Sequence, residues 1–348
     1  MKAIFYGFQF PHHGSFSAFN GFCESLRNVG VEVVDVPWPR LPKAWGFRRL
    51  HRLLMRYHEQ RLRARMVHGN YDLVHYFFPE NSLFKMPRHG AKLILTLHQP
   101  GGEAYLEKVR TKTPWLYDAI QQADGIILMA PDDLEIYQEF APKSRVVYLP
   151  HGIDTHFFDP GDVSFVGTNK RKKVLAVGGM LRDYSFWART VQEVLALTHD
   201  VDFVVVAGRA SLKEALTVFG GSLPSRVQWM SGISDQELRK QYAESDLFFL
   251  PLYQAWANNA LLEASSMGVP IMVTDLVATR AYLGESGIFF QNGDAVAIAN
   301  QLIHQLGKDT RQLRQALRRR MVEEYEWDVI AKHQLRFYEE IAAPCVFK

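Results

Sequence analysis

Short apolar segments alternate with helical patterns along almost the whole chain, and this alternation restricts the fold more than any other feature. Segments such as KAIFYGF, KLILTLH and VLAVGG have the length and apolar content of strands that are buried on both faces. Strands that alternate with helices form parallel sheets with helices on both sides. The pattern therefore predicts an α/β fold.

The strand segments fall into two sets, which the polar stretch GDVSFVGTNKRKK separates. The first set is KAIFYGF, VEVVDV, YDLVHYF, KLILTLH, GIILMA and RVVYLP, and the second is VLAVGG, DFVVVAG, VQWMSG, LFFLPL, PIMVTD and GIFFQN. We predict two Rossmann-like, doubly wound domains, residues 1–155 and 165–325, that face each other across a central cleft. Residues 326–348 carry apolar side chains at helical spacing, and we expect this helix to pack on the first domain.

Composition excludes several classes of protein. With 348 residues, a hydrophobic fraction of 47% and a net charge of +3, the chain is long enough for two ordinary domains. No apolar run reaches the roughly 18 residues of a membrane span, and the N-terminus lacks a signal-peptide pattern, so we expect a cytoplasmic protein. Cys23 and Cys345 lack metal-type spacing, which predicts free thiols.

The segment PLYQAWANNALLEASSMGVP places an acid, Glu263, in an apolar helical run. Asn258 is a favoured N-cap for this helix, and Gly268 is suited to its end. Asn259, Glu263 and Ser266 fall on one face, so a polar stripe runs back from the helix N-terminus. A phosphate at that N-terminus and a ribose on Glu263 would fit a nucleotide. A glutamate satisfied by backbone or water explains the pattern equally well.

The order of three further motifs indicates a family. Three segments follow one another along the second half of the chain: YLPHGIDTHFFDP, VQWMSGISDQELRKQYAESDLFFLPL and LLEASSMGVPIMVTD. Their order resembles the retaining glycosyltransferases of family 4, which have the GT-B architecture of two Rossmann-like domains. The resemblance covers nearly the whole chain and implies a nucleoside-diphosphate sugar as donor.

The resemblance also implies roles for residues around Glu263. Glu263 matches the family glutamate that binds the nucleotide ribose, whereas the glutamate expected eight positions earlier is Ala255. Gln254 or Asn258 is then expected to bond sugar hydroxyls, and Trp256 to pack on a sugar face. The base-binding turn of the family corresponds to VQWMSG, which adds Ser231 to the donor-binding residues.

The diphosphate ligands also depart from the family pattern. In VGGMLRDYSFW, Gly179 and Ser185 stand where the family has Arg and Lys, and Arg182 is the remaining cation. A guanidinium grips phosphate oxygens bidentately, so we predict that Arg182 and the helix N-terminus at Asn258 and Asn259 bind the diphosphate. No Asp-x-Asp motif is present, and we expect neither a metal nor another cofactor. Alternatively, Arg182 pairs with Asp183 or the terminal helix.

The first half offers fewer site residues. Gly14 follows the first strand, where the family has a glycine pair near the donor phosphates. His98 ends the strand of LTLHQPGG at the edge where doubly wound sheets bind ligands. It matches a family histidine close to the donor sugar, and the resemblance therefore implies a catalytic role, in which His98 orients a sugar hydroxyl or stabilises developing charge. His75, inside LVHYFF, is expected to be a core histidine.

The stretch 45–68 predicts a basic amphipathic helix. One face of this helix is apolar, with Leu53 beside it, and arginines occupy the rest; the face is formed by Phe47, Leu50, Leu54 and Tyr57. One interpretation is contact with an anionic bilayer, which would make the protein peripheral at the inner membrane face. In the other, the apolar face packs on its own domain and the arginines are solvated. No nucleic-acid-binding motif accompanies the charge.

We therefore predict a retaining, metal-independent hexosyltransferase that uses a UDP- or GDP-linked sugar. Its acceptor is a hydroxyl group of a glycan, glycolipid or small molecule, and a lipid-linked acceptor is included. Two alternatives stay open: a GT-B nucleotide-sugar epimerase and a non-catalytic nucleotide-sugar-binding partner subunit. A dinucleotide oxidoreductase is disfavoured because no Gly-x-Gly-x-x-Gly follows the first strand.

Overall fold

The computed structural model describes residues 1–9, 18–37, 45–84, 90–98, 102–161 and 171–343, and the chain divides into two compact units. Unit 1 comprises Met1–Gly152 and Trp327–Lys348, and unit 2 comprises Ile153–Glu326. Each unit contains a six-stranded parallel sheet, which confirms the predicted α/β class. Residues 162–170, which hold most of the polar stretch between the two strand sets, lie outside the described residues.

The sheet of unit 1 has the order β2-β1-β3-β4-β5-β6. Its strands are β1 (Ala3–Gln9), β2 (Glu32–Pro37), β3 (Leu73–Tyr76), β4 (Lys92–Leu97), β5 (Gly125–Leu128) and β6 (Arg145–Tyr148). The described helices between them are α1 (Ala18–Asn28), α2 (Trp45–Gly69), α3 (Pro79–Ser82), α4 (Gly102–Lys112), α5 (Pro114–Gln122) and α6 (Leu134–Phe140). Phe5 of β1 packs edge-on against Phe22 of α1, with ring centroids 5.5 Å apart. Cys23 is buried and is in no disulfide with another described residue, and Cys345 lies outside the described residues.

The sheet of unit 2 has the order β12-β11-β10-β7-β8-β9. Its strands are β7 (Lys172–Val177), β8 (Val201–Val206), β9 (Val227–Met230), β10 (Leu247–Leu250), β11 (Ile271–Thr274) and β12 (Ile288–Phe290). The strand order reverses between β7 and β10. This is the switch point at which doubly wound sheets bind ligands, outside the carboxyl ends of the strands.

Several helices of unit 2 begin at the polar caps that the sequence provides. The helices are α7 (Tyr184–Leu197), α8 (Arg209–Val218), α9 (Asp235–Ala243), α10 (Asn259–Ser266), α11 (Val277–Leu283), α12 (Ala295–Leu306) and α13 (Arg311–Arg320). Asp183 accepts the N–H of Phe186 at 2.8 Å, and Ser234 accepts the N–H of Glu237 at 3.2 Å. These side chains satisfy N–H groups that a helix start otherwise leaves unpaired.

The last helix, α14 (Trp327–Ala342), packs on unit 1. The hydroxyl of Tyr338 lies 2.6 Å from Nδ1 of His75, and Nε2 of His75 lies 2.6 Å from Oγ1 of Thr96 on β4. His75 is fully buried, and burial lowers its pKa to about 3, so the ring is neutral. This histidine therefore belongs to the core and links α14 to the sheet.

Helix α2 packs through a different face from the one that the sequence pattern singled out. Met55, Leu62 and Met66 are buried, whereas Leu50, Leu53 and Tyr57 are 43%, 61% and 53% exposed. The helix carries two apolar stripes. It packs through the one that holds Met55 and Leu62, and Leu54 of the predicted stripe is partly buried, so the packing face lies beside the one that was expected. Among the described helices, none combines the length and apolarity needed to span a membrane.

Candidate functional site

Two loops of unit 2 meet at the switch point of its sheet. One follows β7 (residues 178–183) and the other follows β10 (residues 251–258). The N–H of Asp183 donates to the carbonyl of Pro251, and the N–H of Tyr253 donates to the carbonyl of Leu181, both at 3.0 Å. Because hydrogen bonds between backbone groups join them, the two loops form one structural element at the carboxyl ends of adjacent strands.

Arg182 is fixed within this pair of loops by three hydrogen bonds. Its Nη1 donates to the carbonyl of Met180 at 2.6 Å, its Nε to the carbonyl of Val177 at 3.4 Å, and its Nη2 to Oδ1 of Asn258 at 2.9 Å. Gly178 has a φ of +91°, and a Cβ there would lie 2.8 Å from Nη2 of Arg182. A guanidinium has five N–H groups, so two remain without a partner among the described residues.

Asp183 does not pair with Arg182. Its carboxylate accepts the N–H of Phe186 at 2.8 Å, the hydroxyl of Tyr253 at 3.1 Å and Nδ2 of Asn292 at 3.3 Å. Burial lowers the pKa of the Arg182 guanidinium, and neighbouring groups, including the Glu263 carboxylate, oppose that shift. A cation that has lost water without gaining a carboxylate contact favours an anionic ligand.

The N-terminus of α10 lies beside Arg182. Oδ1 of Asn258 accepts the N–H of Leu261 at 3.4 Å, as an N-cap does, and it also accepts the Arg182 bond. Within the described residues, Nδ2 of Asn258 and Oδ1 of Asn259 are buried without a hydrogen-bond partner. Unpaired polar atoms beside the first turn of a helix make this position suited to a polar, anionic ligand.

Glu263 lies one turn further along α10 and is partly exposed. Its Oε2 accepts the hydroxyl of Tyr242 at 2.8 Å, and its Oε1 has no hydrogen-bond donor among the described residues. Burial raises the pKa of Glu263 to about 7, against the Tyr242 hydrogen bond, which lowers it; the charge of Asp235 adds to the rise, and that of Arg182 opposes it. The carboxylate therefore has one oxygen held by the protein and one open to a ligand.

The other predicted donor-binding residues on these loops differ in exposure. A Cβ on Gly179 would lie 2.9 Å from Oγ of Ser211 on α8, so the backbone there runs close to that helix. Gln254 is exposed and Trp256 is partly exposed. Ala255, at the position of the absent glutamate, is only 6% exposed.

Two polar residues of the predicted stripe and turn are not brought into this cluster. Ser231 is exposed after β9, two strands from β7 in the sheet. Ser266 is buried, and its hydroxyl donates to the carbonyl of Phe158 at 2.7 Å while accepting Nη1 of Arg318 at 2.8 Å. Ser266 therefore contributes hydrogen bonds within unit 2.

Two of the predicted site residues, His98 and Gly14, belong to unit 1. His98 follows β4, and its backbone N–H donates to Oε1 of Glu80 at 2.9 Å. Its ring packs against Phe77 and Phe78, with centroids 4.6 and 4.3 Å away, and lies 5.7 Å from the ring of His151. Gly14 lies outside the described residues.

Tyr242 was missed at the sequence level, although it contacts Glu263 directly. The available signal was modest: Tyr242 is the one aromatic side chain in the mostly polar segment DQELRKQYA that forms α9. Among the described residues, no group of three or more His, Cys, Asp or Glu side chains is placed to share a metal ion.

Comparison with known proteins places this geometry in a family. A model described as Glycosyltransferase Family 4 matches residues 18–157, and one described as Glycosyl transferases group 1 matches residues 171–308. The phosphatidyl-myo-inositol mannosyltransferase of Mycobacterium leprae is 24% identical over 294 residues, which cover 81% of this chain and 77% of that protein. The MMP α-(1→4)-mannosyltransferase of Mycolicibacterium hassiacum is 23% identical over 309 residues, which cover 79% and 72%.

The fold agrees with these sequence matches. The structure of sucrose-phosphate synthase from Thermosynechococcus elongatus superposes with a TM-score of 0.71 at 16% identity, over 98% of this chain and 99% of that one. The two family models together span most of both units, and the parallel sheets are those of GT-B proteins. The chain belongs to the family 4 glycosyltransferases of GT-B fold and is related to mannosyltransferases.

Proposed function

We propose that the protein is a retaining glycosyltransferase that moves a hexose from a nucleoside-diphosphate sugar to a hydroxyl acceptor. One observation carries this proposal: Arg182, the N-terminus of α10 and Glu263 lie together at the switch point of unit 2. The cation and helix N-terminus suit a diphosphate, and the open oxygen of Glu263 suits ribose hydroxyls.

The same groups would stabilise the departing diphosphate. As the glycosidic bond breaks, negative charge grows on the phosphate oxygens, and fixed donors aimed at that charge lower the barrier. The two unpaired N–H groups of Arg182 and the first N–H groups of α10 are such donors. The retaining assignment rests on the family resemblance, which implies that the departing phosphate helps to deprotonate the acceptor on the same face of the sugar. Since these donors supply positive charge, we expect transfer without a metal ion or other cofactor.

The sugar end of the site rests on fewer contacts. Ala255 offers no acid, so Gln254 and Trp256, which lie on the same loop as Asn258, are assigned to the sugar. His98 and Gly14 of unit 1 are kept as further candidates. Gly179 completes the donor set on the β7 loop, and Ser231, which lies outside the cluster, is assigned to the nucleotide base only through the family resemblance. Both curated relatives above are named mannosyltransferases, which makes mannose the first hexose to test.

Helix α2 supplies a reason to include a lipid-linked acceptor and a peripheral membrane contact. Leu53, Tyr57 and Val67 are each more than half exposed, and Arg56 and Arg61 are exposed beside them. A surface that combines apolar and cationic side chains suits an anionic bilayer. Sedimentation with phosphatidylglycerol vesicles should fall strongly in Leu53→Ser/Tyr57→Ser. Equal sedimentation of variant and wild type would remove this part of the proposal.

A donor panel tests the proposed function. UDP-, GDP- and ADP-sugars are screened by thermal shift, and the sugar that stabilises the protein is offered with lipid and glycan acceptors. A product with the anomeric configuration of the donor, formed also in EDTA, supports the proposal. Epimerisation of the donor without acceptor would favour the epimerase. Tight donor binding without turnover would favour a non-catalytic binding subunit.

A further inference from the structure

Tyr242 is the one side chain found to donate a hydrogen bond to Glu263 among the described residues. Its hydroxyl lies 2.8 Å from Oε2 of Glu263 and 3.5 Å from the carbonyl of Ala260, one turn earlier on α10. This hydrogen bond joins α9 to α10, two helices that are separated in the sequence by β10 and its loop. One acceptor position of Oε2 is thereby occupied, whereas Oε1 has no hydrogen-bond donor among the described residues and is the oxygen more open to a ligand.

The position of this hydroxyl is fixed by packing. Tyr242 is fully buried, and its ring lies 6.3 Å from that of Phe158 at 79° and 5.9 Å from that of Phe248 at 53°. A tyrosine side chain has few rotatable bonds, so aromatic neighbours on two sides leave the hydroxyl little freedom. A donor held in this way restricts the orientation of the carboxylate it bonds.

The hydroxyl also affects the charge of Glu263. Burial favours the protonated carboxyl and Asp235 on α9 adds to this, whereas Tyr242 and Arg182 favour the carboxylate. A carboxylate accepts hydrogen bonds on both oxygens, but a protonated carboxyl carries a donor of its own. Loss of the Tyr242 hydroxyl would therefore disturb both the orientation and the charge of the acceptor that a ribose needs.

We propose that Tyr242 is a positioning residue for nucleotide recognition. Its hydroxyl holds Oε2 of Glu263, so that Oε1 is presented as a fixed acceptor to the ribose hydroxyls of the donor nucleotide. This inference rests on the proposed function above, because it assigns the ligand of Glu263 to a nucleotide.

The test is calorimetric titration of the full chain with UDP and GDP between pH 6.5 and pH 8.5. Tyr242→Phe removes the hydroxyl and keeps the ring. Tyr282→Phe makes the same change at another fully buried tyrosine of unit 2, on α11, and serves as the matched control. Each protein is also titrated with the 2′,3′-dideoxy form of the nucleotide that binds wild type.

We expect Tyr242→Phe to raise Kd about 10-fold near pH 7, and the difference to shrink to about 2-fold at pH 8.5 as Glu263 ionises in the variant. The dideoxy nucleotide should bind Tyr242→Phe and wild type equally, and Tyr282→Phe should follow wild type throughout. Comparison at equal pH cancels the titration of the nucleotide itself.

Two results would overturn the positioning role while leaving the proposed function intact. One is wild-type affinity in Tyr242→Phe at every pH. The other is a loss that is independent of pH and equal for the dideoxy nucleotide, since it would reflect packing alone. A wild-type protein that binds neither UDP, GDP nor ADP-sugars would instead refute the proposed function.

Discussion

Nη2 of Arg182 donates to Oδ1 of Asn258 at 2.9 Å, so the cation of one loop is held by the helix cap of the next. The same Oδ1 accepts the N–H of Leu261, and a single amide oxygen thus serves both the start of α10 and the orientation of Arg182. Substitutions at either residue are expected to affect the other, because they form one network.

Replacement of Arg182 should reduce transfer strongly. Arg182→Ala removes the cation that we propose to bind the donor diphosphate, and we expect kcat to fall about 10²-fold or more. Arg182→Lys should recover only part of this loss, since an ammonium cannot reproduce the three fixed bonds to Val177, Met180 and Asn258. Arg189→Ala, an exposed position on α7, is the control and should keep full activity. Wild-type rates in a folded Arg182→Ala protein would contradict the assignment.

Two substitutions of Asn258 should distinguish its effect on helix capping from its effect on transfer. Asn258→Ala should lower the melting temperature, because loss of an N-cap costs about 1 kcal/mol. Asn258→Asp keeps a capping oxygen and should preserve the melting temperature, yet it places a negative charge beside Arg182, at the proposed diphosphate site. We therefore expect transfer to fall in both variants and stability to fall in one. Full transfer in the Asp variant would show that no phosphate binds there.

Restoring the family glutamate at position 255 should destabilise the protein and should not increase its transfer rate. Ala255 is 6% exposed, so Ala255→Glu buries a carboxylate, which costs about 2 kcal/mol or more. A thermal-shift assay should show a lower melting temperature and no faster transfer. Ala257→Glu, on the same loop at a partly exposed position, should melt closer to wild type. An active, normally stable Ala255→Glu protein would show that the loop has room for the family acid.

Burial of His75 should make the folded protein less stable as pH falls. Its folded-state pKa of about 3 lies below the ordinary 6.5, so the unfolded chain binds the proton first. The contribution of neutral His75 to the free energy of unfolding is fully present above pH 6.5. It falls by about 1.4 kcal/mol per pH unit as pH decreases toward 3. Melting temperatures between pH 7.5 and 5 should fall less in His75→Phe than in wild type or in His304→Gln, an exposed control. Parallel curves for all three would contradict this.

Much of the fold could be predicted because its signals are local. All twelve predicted strand segments form strands, since apolar runs of strand length between helical patterns leave few alternatives. Asn258 was identified as a cap for the same reason, because a helix start depends on neighbouring residues. The switch point follows from strand order, which the family resemblance implies.

The rest depends on contacts between distant residues. Tyr242 and Glu263 are 21 positions apart and meet only through packing of α9 on α10, so spacing alone gave no sign of the pair. Helix α2 carries two apolar stripes, and the pattern could not show that Met55 and Leu62 face the core while Leu53 is exposed. Arg182 was identified as a cation, but its partner Asn258 became visible only in the structure.

Glu263→Gln should separate the effect of the carboxylate on stability from its effect on nucleotide binding. The pKa of Glu263 is raised to about 7 from 4.5, so its ionisation costs the free protein roughly 3 kcal/mol at most above pH 7. The neutral amide avoids that cost but gives ribose hydroxyls a weaker acceptor.

The measurement is the melting temperature and the nucleotide affinity of wild type and Glu263→Gln at pH 8, with whichever of UDP and GDP binds wild type. We predict an unliganded variant that melts at the same or a higher temperature than wild type and binds the nucleotide about 30-fold more weakly. A Glu263→Gln protein that binds the nucleotide as tightly as wild type would rule out the proposed contact between Glu263 and the ribose.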